Sequence, residues 1–180
     1  MFGKVKLPII TLVICLGMSN SLSQGGITLS GYGSIGAGDV YDVVQVIDPM
    51  DPNGPMMTLV TMTGGQVGEL MIYGMSTVDI EGGEILGNTL KAFEHSTANL
   101  KGGIIGALEA YDNATIIVYG KNLFWDDING TLSGRWLDGT SFSIPVTTPE
   151  TMSHVVLIPE PATLCVLGLG GLALLRRKGF

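Results

Sequence analysis

Through the middle of the chain, apolar and polar residues alternate in short runs that glycine keeps interrupting. Thr77-Val78-Asp79-Ile80-Glu81 leads into Gly82-Gly83, and Thr97-Ala98-Asn99-Leu100-Lys101 leads into Gly102-Gly103. A period of two places successive side chains on opposite faces of an extended strand, so these runs predict strands rather than helices of period 3.6. The Gly-Gly pairs at 64–65, 82–83 and 102–103 recur at spacings of 18 and 20, which marks an internal repeat. A degraded copy precedes it over Leu59 to Gly68, and a partial one follows from Thr115 to Gly120.

A repeat of this length, turned three times, predicts an all-β body in which each copy pairs in parallel with the next, about 4.8 Å away, as a short β-solenoid. Val78, Ile80, Ile85, Leu90, Ala98, Leu100, Ile105, Leu108, Ile116 and Val118 are then the inward positions. Asp79, Glu81, Asn99 and Lys101 face out. Glycine suits a corner where φ turns positive and a side chain would obstruct the neighbouring copy. An antiparallel meander or sandwich with Gly-rich hairpins is the alternative reading of the same pattern.

The two ends follow a different pattern, with unbroken apolar runs and no polar face. Lys4 and Lys6 precede Leu7 to Met18, and Ser21 and Ser23 supply small residues at the −3 and −1 positions before Gln24, as in a secretory signal peptide. The second run, Leu164 to Leu175, follows Pro159-Glu160-Pro161 and precedes Arg176, Arg177 and Lys178. In lipid its backbone must pair internally, which makes it a helix, and the cations favour the cytoplasmic side. At 12 residues it falls short of the roughly 20 that span a bilayer, a length that Ala162, Thr163 and snorkelling of the terminal cations could extend.

The resulting organisation is a signal peptide at 1–23, a β cap and loop region at 24–58 and the repeats at 59–120. A hairpin cap at 121–148, a linker at 149–158 and a sorting signal at 159–180 complete it.

Charge narrows the partners. The chain carries a net −7, but five of its nine bases lie in the two ends, leaving a body with 15 acids and 4 bases. Such a surface repels nucleic acid. The two cysteines, Cys15 and Cys165, both fall in the terminal apolar runs, so the body cannot rely on disulfides.

Catalytic chemistry finds little footing. His95 and His154 are far apart, neither beside a nucleophile, and a solvated surface position is the expectation for both. Arg135 is the body's single arginine. Asp126 and Asp127 are adjacent, and with Asn129 and Gly130 they read as a turn rather than a Ca²⁺ loop, since EF-hand spacing is missing. No cofactor, metal or enzymatic activity is expected. The minority reading is a carbohydrate-active β-helix enzyme using Arg135 or Asp126.

The order of Pro159-Glu160-Pro161, apolar helix and basic tail resembles the PEP-CTERM sorting signal of exopolysaccharide-producing Gram-negative bacteria. Similar C-termini also carry the label of an ice-binding protein C-terminal domain. The Gly-Gly repeats, followed by Tyr119-Gly120 and by Leu132-Ser133-Gly134 with Asp138-Gly139-Thr140, are similar to planctomycete-type members of that group. The resemblance implies an exported protein, delivered to the cell envelope or the extracellular matrix and anchored in the membrane through its C-terminal helix. An exosortase-type processing enzyme would read Pro159, Glu160 and Pro161. Extracellular polysaccharide is a further expected partner, and a sugar- or ice-binding face bearing Thr77, Thr97 and Thr115 is the alternative role for the body.

Overall fold

The computed structural model describes residues 25–48, 50–51, 54–55, 57–87 and 89–159. Before the repeats come Ile27–Leu29 (β1), Tyr32–Ile35 (β2), Val40–Val46 (β3), Met50–Asp51 (β4) and Gly54–Pro55 (β5). The repeats hold Leu59–Ile72 (β6), Thr77–Ile85 (β7), Leu90–Ala92 (β8), Thr97–Leu100 (β9), Ile104–Ile105 (β10), Leu108–Ala110 (β11) and the first half of Thr115–Asp126 (β12). Thr131–Arg135 (β13), Ser141–Pro145 (β14), the short helix Pro149–Met152 (α1) and Val155–Pro159 (β15) close the chain. The protein is all-β. Thirteen of these strands join one open sheet, and β4 with β5 makes a separate antiparallel ladder.

Throughout the repeats the pairing is parallel, which replaces the antiparallel alternative there. Three ladders arise because each repeat contributes three short extended segments. The first aligns Tyr32, Leu59, Thr77, Thr97 and Thr115. The second aligns Val40, Gln66, Glu84 and Ile104. The third aligns Ile27, Val44, Leu70, Leu90 and Leu108. All ten residues predicted to face inward are buried, as are Met62, Val67 and Ile72 from the degraded copy. Each large aliphatic side chain withdrawn from water in this way contributes on the order of 1.5–3 kcal/mol.

Unequal repeat length has one local cause. Val67 to Leu70 and Ile105 to Leu108 bridge the second and third ladders in the same short step, whereas Ile85 to Leu90 takes two residues more. The corner after Ile85 absorbs both, with exposed Leu86 and with Gly87 at φ +99°.

The glycine pairs lie between the first and second ladders, and their second members Gly65, Gly83 and Gly103 have φ of +79°, +89° and +91°. A Cβ on Gly83 would sit 2.5 Å from the Gly64 carbonyl oxygen, and one on Gly103 would sit 2.8 Å from that of Gly83. The obstruction is with the preceding repeat, because the chain passes directly over its backbone. After the last pair the column ends on Trp136, buried and stacked on Phe142, whose indole Nε1–H donates to the Gly103 carbonyl at 2.9 Å. Trp136 follows β13, which pairs antiparallel with both β12 and β14, so the 121–145 segment forms a meander against the end of the second ladder.

Two segments depart from the sequence reading. The 24–58 region was expected as a cap, yet β1, β2 and β3 pair in register with the repeats and continue all three ladders. Gly36-Ala37-Gly38 stands where later copies have a glycine pair, which hid the period. The 149–158 linker instead contains α1 and most of β15, which pairs in parallel with β12 from Ile116↔Val155 to Gly120↔Pro159. Val155 to Ile158 is apolar at every position, and pairing satisfies one edge of its backbone while Val155 and Leu157 pack on the core.

Candidate functional site

The corner between the third and first ladders carries the body's most ordered surface chemistry. Tyr73, Phe93 and Tyr111 occupy equivalent positions after β6, β8 and β11. Their rings stack in a column with centroids 4.8 and 5.0 Å apart and planes within 5° and 7°. The next residues, Gly74, Glu94 and Asp112, all take positive φ, at 71°, 61° and 59°. Each acid compensates for its strained backbone by reaching back. Glu94 accepts the Gly74 N–H at 2.7 Å, and Asp112 accepts the Glu94 N–H at 3.3 Å. Beneath the rings, buried Ser96 accepts the Phe93 N–H and donates to the Ile72 carbonyl. Asp48 plays the acid's part for the first such corner, accepting from the Met75 N–H and the Ser76 hydroxyl.

Charged side chains elsewhere pair along the ladders. Lys91 lies 2.8 Å from Glu69 and 3.8 Å from Glu109. The hydrogen bond to Glu69 is the main reason its ammonium is held above the ordinary lysine range; desolvation opposes it, and the charges of Glu109 and Glu69 add to it. Glu109 likewise pushes the Tyr111 phenol up by accepting a hydrogen bond from its hydroxyl. On the first ladder, Lys101 meets Asp79 at 3.5 Å and Glu81 at 3.4 Å, while Asn99 donates to Asp79 at 2.7 Å. These are the four side chains expected to face out.

The residues weighed for catalysis are dispersed. His95 is exposed at the second aromatic corner, 3.5 Å from Asn113 Nδ2. His154 is only partly exposed, a difference from the solvated position expected, because its Nδ1 lies 3.0 Å from the Ala114 carbonyl. Arg135 is exposed at the end of β13. Asp126 is engaged in its own turn, as the sequence suggests: it accepts the Ile128 and Asn129 N–H groups and the Asn129 side-chain amide. The bond from the Asn129 side chain is the chief cause that holds the carboxyl below the usual carboxylate range.

The sorting chemistry is divided between two settings. Pro159 ends β15, opposite Gly120. Glu160, Pro161, the 164–175 apolar run, the Arg176, Arg177 and Lys178 tail, Ser21 and Ser23 all lie outside the described residues. Among the described residues no helix is long and apolar enough to cross a membrane. What the sequence did not show is how firmly the chain is held just before the motif. Thr151 in α1 is completely buried, and its hydroxyl accepts the Ala110 N–H at 3.1 Å and lies 3.0 Å from the Thr148 hydroxyl. The His154 carbonyl then accepts the Ile116 N–H at 2.9 Å, which fixes the register of β15.

Residues 157–178 match the family model of the PEP-CTERM protein-sorting motif. The chain thus carries the signal of an exported protein that is membrane-associated while it is sorted by an exosortase-type enzyme. No curated protein and no solved structure matches the chain.

Proposed function

From a chain that ends in a PEP-CTERM sorting motif, we propose a non-enzymatic protein of the cell surface or extracellular matrix. Its body is a short parallel β-solenoid, and its C-terminal helix anchors it in the membrane until the exosortase acts at Pro159-Glu160-Pro161. The observation that carries the reading is the matched motif at residues 157–178, in the same order of Pro-Glu-Pro, apolar run and basic tail. The three ladders of common direction support the solenoid, since a parallel partner at each rung requires the chain to wind repeatedly in one sense. Side chains that pair with each other along the ladders, Lys91 with Glu69 and Lys101 with Asp79, suit a scaffold.

Deleting Pro159 to Pro161 and fractionating cells tests the proposal. Loss of processing and of envelope or matrix localisation is the expected result, and wild-type fractionation of the deletion variant would refute it. A second reading, a module that binds extracellular polysaccharide, rests on the register of Thr77, Thr97 and Thr115 along one face. Glycan-array binding by the exported protein, abolished by Thr97→Val, distinguishes it.

A further inference from the structure

Leu157, Ile158 and Pro159 belong to two things at once: they open the matched sorting motif and they close β15. There is no spacer between folded body and signal. An enzyme that reads a chain stretched in its cleft needs that segment lifted out of its own fold, because processing of a packed strand acts on the locally opened chain. In β15 one edge is already taken, by β12 over the whole register from Val155 to Pro159. Side chains reinforce the closure. Val155 and Leu157 pack on the hydrophobic core, and Thr151 is tied to the Ala110 N–H from a fully buried position.

We propose that β15 is a latch on the sorting signal, so that the processing enzyme engages Pro159 and the residues after it only when the last rung has parted from β12. This inference rests on the sorting reading above. Under it, the body regulates its own release, and the frequency with which one short strand opens sets the rate of processing.

Two variants of the full chain loosen the latch without altering residues 157–178. Thr151→Val removes the buried acceptor that holds α1, and a short Gly/Ser spacer inserted between Val156 and Leu157 moves the motif off the rung. Processing is followed by pulse–chase in cells that contain the exosortase, with hydrogen exchange of the Val156 and Ile158 amides, which face β12, as a second readout. Thr151→Val is expected to speed both by about five- to tenfold, the factor that a lost buried hydrogen bond carries. The spacer is expected to give processing at least as fast.

Unchanged or slower processing in both variants would overturn the latch, and so would equal acceleration by Gly65→Ala, which loosens β6, separated from β15 by β7, β9 and β12. Wild-type protein that is never processed, or processing that survives deletion of Pro159 to Pro161, would instead remove the sorting reading and the latch with it.

Discussion

Two corners of the repeat meet the same backbone demand with opposite chemistry. Between the first and second ladders, Gly65, Gly83 and Gly103 adopt positive φ; between the third and first, Gly74, Glu94 and Asp112 do. Left-handed backbone costs a side-chain-bearing residue roughly 1 kcal/mol, a strain that local hydrogen bonds can offset. Glu94 and Asp112 obtain that offset from the N–H of the preceding repeat. At the glycine corner no side chain can respond in kind, because its first carbon would already overlap a carbonyl of the preceding repeat. Close approach of two backbones, more than φ itself, is what demands glycine.

The sharpest way to break this comparison is Gly103→Ala. It combines left-handed strain with a Cβ 2.8 Å from the Gly83 oxygen, and a loss of about 3 kcal/mol or more is expected in urea unfolding. A loss under about 1 kcal/mol would mean that φ alone selects glycine there. Next in size, Phe93→Ala removes the middle ring of the Tyr73–Phe93–Tyr111 column and should cost roughly 2 kcal/mol, read from the thermal midpoint.

Substitution at Glu94 should reverse the order seen at Gly103. Glu94→Ala keeps the strain and loses the bond to Gly74, costing about 1 kcal/mol, whereas Glu94→Gly relieves the strain and costs less.

The smallest effects concern pH. Because Lys91 is held above the ordinary lysine range in the folded protein, its contribution is complete below that range and fades as pH rises through the raised value. The stability difference between wild type and Lys91→Gln should therefore shrink in alkaline solution. Asp126, held low, behaves in the opposite sense. Its turn contributes above the usual carboxylate range and loses that contribution as pH falls through the lowered value, which the Asp126→Ala difference measured toward acid pH will show.

The sequence disclosed the repeats because each inward residue alternates with an outward one and each corner is punctuated by glycine. That information is local. Harder to see were the contacts that join distant segments. Val155 to Ile158 shows no alternation, and its partner Ile116 to Tyr119 lies a meander away, so nothing nearby announced a strand. The first rung was hidden for a related reason: the residues between Ile47 and Thr58 interrupt the period just where β2 must align with β6. The stacked rings stand at matching places in each copy, but their contact depends on the registration of the ladders, which no single copy contains. As for the site, Pro159-Glu160-Pro161 stands out through its resemblance to a sorting signal, together with the apolar run and the basic tail that follow it. That Pro159 belongs to the body as well does not stand out, because attachment is a property of packing.

The common direction of β12 and β15 also has a mechanical meaning. Tension applied at Pro159 along the axis of β15 shears every pair of that ladder together, whereas a sideways pull peels them one at a time. A strand fastened in this way resists force in one direction and yields in another.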